Sequence, residues 1–290
     1  MKIAIMTSRV IEEIKGLTEE LRTRGHEVTL WPLDQIKPEM FVDGSLATEL
    51  SRFDLVYYRS GFSDAGAFEL GRLLEKTPGR LINRAVFRPL TSNKIHQAIA
   101  SIKCGIAIPP TFIGRNVSFD TLNKEFGLPF ILKAAHGIQG DKVFLIHDKD
   151  TYNKRLDEVS SEVMFQKFIP NGGDYRVFVL GGEVHDIFKR VAAEGNFKNN
   201  MALGARGVRV TDVTMRKRLA AIGTTIAKSM EIEIGGIDVI ESSEDGQLYF
   251  LEVNVNPGWR GLDSTLGGNT AATVADYFER LLKSSSTTLL

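Results

Sequence analysis

The sequence has a single cysteine, Cys104, among its 290 residues, which excludes an intrachain disulfide framework and fits a reducing compartment. Within "IHQAIASIKCGI" that thiol reads as a packed side chain, not a nucleophile. Charge of one sign is also missing, since 36 basic residues meet 36 acidic ones. Bulk attraction to nucleic acid is therefore excluded as the main mode of action. No apolar run approaches the roughly 20 residues needed to span a bilayer, and "MKIAIM" is too short a run for a signal peptide. The expected setting is the cytoplasm, with neither nucleic acid nor membrane as partner. Two nucleotide motifs are absent as well. Thr7, Ser8 and Arg9 follow the first strand where a dinucleotide fold would place Gly-x-Gly-x-x-Gly, and no Gly-x-x-x-x-Gly-Lys-Ser/Thr occurs. With five histidines and one cysteine, no Ser-His or Cys-His nucleophile is evident.

What is present is an ordinary globular composition, 43% apolar and 25% charged. At this length folding can bury about 75% of the unfolded chain's surface. "KIAIMT", "HEVTLWPL", "DLVYYRS" and "RLIN" read as strands, separated by the helical patterns "IEEIKGLTEELRTRG" and "GAFELGRLLEK". Strands alternating with helices predict a parallel sheet covered on both sides over the first ~90 residues. From residue 92 the pattern changes. Ser92 is placed to cap a helix through Cys104, with Ile95, Ile99 and Ile102 on one face. Pro109 and Pro110 force an extended segment. Ser118 starts a short helix that Gly127 ends. "PFILKAA", "KVFLIH", "VMFQKFI" and "YRVFVLGGEVHDIFKR" supply further strands, "VTMRKRLAAIGTTIAKSM" an amphipathic helix, and residues 270 to 283 a last one.

The hairpin in "GGIDVIESSEDGQLYFLEVNVNPGWRG" carries the chemistry. Glu252 and Asn254 are two apart and share a face, and antiparallel pairing would bring Asp238 opposite them. Two carboxylates and an amide form a hard oxygen set suited to Mg²⁺, which completes its shell with water and phosphate. For Asp238 alone, a polar strand end is the better reading; the three together, followed by Pro-Gly, point to a metal. Gly258 and Gly261 let backbone amides approach an anion, although a plain turn would look the same. Lys133 closes an apolar strand, where lysines commonly snorkel, and Gly137, Ile138, Gln139 and Gly140 form a loop able to fold over a triphosphate. "FKRVAAEGNFKNN" brings Lys189, Arg190 and Asn199, a solvated basic face or an oxyanion site. Arg190 has the planar fork for the second role.

In this order the features resemble the ATP-grasp ligases, specifically the RimK/LysX-like carboxylate–amine branch. The resemblance runs over "SNKIHQAIASIKCGIAIPPTF", "FILKAAHGIQGDKV", "MFQKFIPNGGDYRVFVLGGEV", "GIDVI" and "FLEVNVNPGWRG". It implies an α/β protein with an N-terminal parallel-sheet domain at 1–91 and ATP-grasp subdomains with antiparallel sheets at 92–164 and 165–283. A flexible tail at 284–290 completes the chain. It further implies ATP phosphates at Lys94, Lys133, Lys189 and the loop Gly137–Gly140. The adenine edge would lie on the main chain of Lys167 and Ile169, with Gln166 and Phe168 beside it and the ribose at Asp174. Two Mg²⁺ ions, or Mn²⁺ in their place, would be held by Asp238, Glu252 and Asn254. Arg190, Asn199 and the amides near Gly258 would face an acyl phosphate. Three positions depart from the branch: Ile138 replaces a small hydroxyl residue, Lys142 replaces the loop's last glycine, and Lys167 stands in the hinge where the branch often has glutamate.

The activity implied is amide formation through an acyl phosphate, with release of ADP and phosphate. In this branch the joined groups are an amino acid such as glutamate and an acceptor that is a peptide, protein terminus, carrier or cofactor, and homo-oligomers are common. Arg59 in "YYRSGF" would meet a substrate carboxylate or lie on the surface. Two other readings fit the same motifs: a D-alanine–D-alanine-type dipeptide ligase, and a non-catalytic nucleotide-binding regulator.

Overall fold

The computed structural model describes residues 1–59, 65–76, 80–87, 93–136, 142–193, 199, 201 and 204–286. The chain begins with β1 (Lys2–Thr7), α1 (Glu12–Thr23) and β2 (Glu27–Pro32), followed by the short helices α2 (Glu39–Val42) and α3 (Ser45–Leu50). After them come β3 (Leu55–Tyr58), α4 (Ala65–Lys76) and β4 (Arg80–Ile82). The four strands form a parallel sheet in the order β2-β1-β3-β4. Ile3 to Met6 of β1 are fully buried, as a central strand covered on both faces requires. The predicted α/β domain is present.

Next come α5 (Lys94–Lys103), β5 (Thr111–Ile113), α6 (Phe119–Phe126), β6 (Phe130–Ala134), β7 (Val143–Ile146), α7 (Lys149–Asp157) and β8 (Val163–Lys167). Their strands form an antiparallel sheet, β5-β8-β6-β7. Ser118 caps α6 by accepting from Thr121 N at 3.1 Å, as predicted. Ser92 lies outside the described residues, and the cap of α5 is Asn93, whose Oδ1 accepts from Ile95 N and His96 N. The face of α5 is also corrected. Ile95 is buried, but Ile99 and Ile102 are 41% and 58% exposed. The helix turns Gln97, Ala98 and Ser101 inward because Gln97 exchanges two 3.0 Å hydrogen bonds with the main chain of Val253. Cys104 is only half-buried, with Sγ 3.0 Å from Ser229 Oγ, so the packed-thiol expectation does not hold.

The remaining elements are β9 (Asp174–Leu180), β10 (Glu183–Val191), β11 (Arg206–Arg209), α8 (Val213–Ser229), β12 (Ile234–Glu241), β13 (Leu248–Asn254), α9 (Arg260–Leu266) and α10 (Thr270–Ser286). Five antiparallel strands form one sheet, β11-β10-β9-β12-β13. Its two faces follow the strand period. Val177, Val179, Ile237 and Val239 pack under α8. Phe178, Leu180, Phe188 and Ile234 join Ile3, Ile5, Leu17 and Phe278 in a core shared with the N-terminal sheet. Arg24, which caps the C-terminus of α1, bonds to Asp276 of α10 at 2.5 Å. The first domain is thus packed against the five-stranded sheet.

Candidate active site

The register of the five-stranded sheet builds the site. Glu252 on β13 pairs with Asp238 on β12, and Asp238 pairs with Arg176 on β9. Paired residues share a face, so one row across three strands reads carboxylate, carboxylate, guanidinium. Asn254 pairs with Gly236 in the adjoining row. The expected convergence of Asp238, Glu252 and Asn254 is therefore met. Gly236 leaves room for the arginine, because a Cβ there would fall on the Arg176 guanidinium.

Charge on this row is paired throughout. Arg190 grips Asp174 with two bonds, Nε to Oδ1 at 2.7 Å and Nη2 to Oδ2 at 2.5 Å, and reaches Asp238 Oδ2 at 2.9 Å. Arg176 Nε stands 2.6 Å from Asp238 Oδ1. That contact is an ion pair without hydrogen-bond alignment, so this buried oxygen has no hydrogen-bond donor among the described residues. Burial pushes Asp174 up to about 6 against the opposing pull of Arg190. Burial would lower Arg190, but the facing Asp238 and Asp174 more than offset it and hold its pKa above the ordinary arginine value. Arg176 is lowered, chiefly by burial. Lys94 Nζ lies 3.3 Å from Glu252 Oε2. Lys133 is pushed down to about 8, first by burial and then by Lys94, with Glu252 opposing.

These groups, Lys94 excepted, line one wall of a cleft of about 970 Å³ between the two antiparallel sheets and the N-terminal domain. Lys133, Gln166, Lys167, Phe168, Ile169 and Asp174 line it, as do Arg190, Asn199, Asp238, Glu252, Asn254 and Gly258. Lys189 does not: it lies on the opposite face of β10, its ammonium 5.3 Å from the Tyr175 ring centroid. The adenine expectation narrows. Lys167 N already donates to Pro110 O at 2.9 Å, and Ile169 O accepts from Asn171 Nδ2 at 2.8 Å. The Ile169 N–H has no acceptor among the described residues. Gln166 Nε2 is held by Thr111 Oγ1 at 3.0 Å. Both oxygens of Asp174 are occupied by Arg190, so its contribution here is to hold that arginine. Residues 137 to 140 of the loop lie outside the described residues. At its end, Lys142 adopts φ 52°, a left-handed conformation that glycine takes without strain.

Arg59 is not a surface residue. It is 5% exposed, lines the cleft, stacks 4.8 Å from the Trp259 ring and donates to Pro257 O at 2.7 Å. Its Nε has no partner among the described residues. The sequence reading missed Arg176, although the same alternation that singled out Glu252 and Asn254 applies to "DYR". It also missed Glu13 of α1. That residue brings a carboxylate beside Gly258, so the turn expected to bind an anion shares its space with a negative charge.

The donor set fits a hard divalent cation. It consists of two paired-strand carboxylates and an amide, with one buried carboxylate oxygen lacking a hydrogen bond. Among the described residues no group of three or more His, Cys, Asp or Glu side chains could hold a metal. A cation here would therefore rely on Asn254, water and phosphate to complete its shell.

A family model for the RimK-like ATP-grasp domain matches residues 91–278. The chain belongs to the RimK-like ATP-grasp family. With that membership goes the general chemistry of an ATP-dependent ligase that forms C–N bonds. The probable alpha-L-glutamate ligase 2 of Shewanella baltica is 28% identical over 305 residues, spanning 99% of this chain and 98% of that protein. A RimK domain ATP-grasp protein from Sphaerobacter thermophilus superposes with a TM-score of 0.70 at 21% identity, covering 96% of this chain and 99% of the other. The ATP-grasp ligase PsnB, solved with a minimal precursor, Mg and ADP, gives a TM-score of 0.72 at 18% identity over 97% of each chain. These structures share the ATP-grasp fold with this chain. No helix among the described residues is long and apolar enough to cross a membrane.

Proposed function

We propose that the protein joins an amino acid, glutamate or a close analogue, to an acceptor that is a peptide, protein terminus, carrier or cofactor. ATP activates a carboxylate as an acyl phosphate, and an amine then displaces phosphate. The row Glu252–Asp238–Arg176, with Lys94 beside Glu252 and Lys133 lining the same cleft, carries this reading. It places acidic oxygens beside cationic groups, the arrangement that metal-assisted handling of a triphosphate needs.

Lys133 and Lys94 would meet the phosphates, and the Ile169 N–H the adenine edge. Asp238, Glu252 and Asn254 would hold two Mg²⁺ ions, whose charge offsets that of the triphosphate when they are bound. Arg190 is fixed through Nε and Nη2, which leaves Nη1 for a developing oxyanion in a preorganised position. Asn199 stands on the same stretch, its Oδ1 accepting from Ala192 N at 3.1 Å. Arg59, which lines the cleft with no carboxylate partner among the described residues, suits a substrate carboxylate.

The test is ADP release with Mg²⁺ and ATP across a panel of amino acids, alone and with glutamate-terminated peptides, beside Asn254→Ala. Release that requires a carboxylate–amine pair and collapses in the variant supports the proposal. Turnover with D-alanine alone would move the protein to the dipeptide ligases. Nucleotide binding with no turnover for any pair would favour a regulator, and failure to bind ATP would end the ligase assignment.

A further inference from the structure

Most charges around the cleft are paired, and Glu13 is an exception. Its neighbour Glu12 is engaged by Lys15 at 2.7 Å. For the Glu13 carboxylate, no hydrogen bond or ion pair is found among the described residues, yet it lines the cleft. It leans over the turn that follows the metal strands: a Cβ at Gly258 would lie 2.9 Å from Glu13 Oε1. Glycine is thus what lets the carboxylate approach there. A second observation marks the same end of the cleft. Arg59, 5% exposed, lines it with a guanidinium that has no carboxylate partner among the described residues. An unpaired carboxylate and a guanidinium without a counter-charge on the same wall call for a ligand with both a positive and a negative group.

We infer that Glu13 binds and orients the ammonium group of the amine substrate, so that this substrate is a free α-amino acid whose carboxylate faces Arg59. The inference rests on the ligase reading above and assigns its second half-reaction. Lys133, Arg176 and Arg190 share their part of the cleft with Asp174, Asp238 and Glu252, whereas Glu13, on α1, lines it together with Arg59 and Arg260. An ammonium is therefore recognised by direct pairing with the Glu13 carboxylate. On reaction, one proton passes from the ammonium to the Glu13 carboxylate, freeing the nitrogen lone pair. The C–N bond forms as the acyl C–O bond to phosphate breaks. Phosphate departs with that electron pair and takes up the second proton lost by nitrogen.

Hydroxylamine provides the test because it is a small neutral nucleophile that needs no ammonium site. With L-glutamate or a glutamate-terminated peptide supplying the carboxylate, hydroxamate formation reports the acyl phosphate alone. The expected result is that Glu13→Gln forms hydroxamate at close to the wild-type rate, while KM for the amino-acid amine rises about 10- to 100-fold, the cost of one charge-assisted hydrogen bond. Glu12→Gln should leave both reactions unchanged, and thermal melts establish that the variants fold. An unchanged amine KM in Glu13→Gln would overturn the inference, as would equal loss of both reactions, which would place Glu13 in the activation step. Wild-type hydroxamate without any amino-acid-dependent ADP release would also refute it. Wild-type protein that forms no hydroxamate would instead defeat the ligase reading itself, and this inference with it.

Discussion

Asn83 of the N-terminal domain donates from Nδ2 to the carbonyl of Val255, one residue beyond Asn254, at 2.8 Å. Its Oδ1 accepts from Ile234 N at 2.9 Å, and its own N–H donates to Glu233 Oε2 at 3.0 Å. One fully buried side chain therefore ties the first domain to the start of β12 and to the exit of β13. It does so at φ 63°, in a region that costs an L-residue about 1–2 kcal/mol. Arg59 holds the same turn two residues later, through Pro257 O. The turn after β13 is thus clamped by two residues of the N-terminal region.

Removing that clamp should damage both stability and the site. Asn83→Ala would orphan the buried Ile234 N–H and the Val255 carbonyl, at about 1–3 kcal/mol for each group left unsatisfied. Asn83→Gly would lose the same bonds but relieve the backbone, so it should be the milder change by about 1 kcal/mol. Urea denaturation gives the stabilities, and a Mg²⁺ titration of ADP release reads the loosened turn. Equal stability of wild type and alanine variant would show that the clamp contributes nothing.

Arg176 offers a separate handle, because it acts on the site through Asp238. Arg176→Lys keeps one charge but loses the planar group that fits against Gly236 and spans both Asp238 oxygens. Loss of a partner that orients a metal ligand typically costs 10- to 100-fold in metal affinity. The half-saturating Mg²⁺ concentration should rise by about that factor, with little change in KM for the amino acid. An unaltered Mg²⁺ requirement would mean that Arg190 alone positions Asp238.

How much of this was legible depended on the range of the interaction. The strand period placed Glu252 and Asn254 on one face, a local rule, whereas the pairing with Asp238 also needs the bulge after Asp238, since an unbroken register from Glu241 and Leu248 would set Asp238 against Leu251. The same period applies to Arg176, two residues after Asp174, although "YRVFVL" reads as a largely apolar strand. On helix α5 the apolar stripe does not mark the buried face. Ile99 and Ile102 instead face solvent, while Gln97 is drawn in by main-chain groups of Val253, 156 residues away. Asn83 and Glu13 were illegible for a similar reason. The groups beside them, Val255 and Gly258, are far away in sequence, and only the shared core between the N-terminal sheet and β9, β10 and β12 brings them together.

Lys133 should reveal itself through pH. Burial lowers it from the ordinary 10.5 to about 8, so the folded state holds this proton less tightly than the unfolded chain. Below pH 8 both states are protonated and the full cost of the buried charge is present. Between about 8 and 10.5 the unfolded state carries more protons, and stability should rise with pH from this group. Lys133→Met should flatten that rise. Binding of the triphosphate would favour the charged amine again. At pH 8, where about half the lysines are neutral, ATP binding should therefore take up about half a proton. Calorimetry in two buffers of different ionisation heat measures that uptake, and it should disappear in Lys133→Met. Identical proton uptake in the variant would place the titrating group elsewhere and remove Lys133 from the phosphate site.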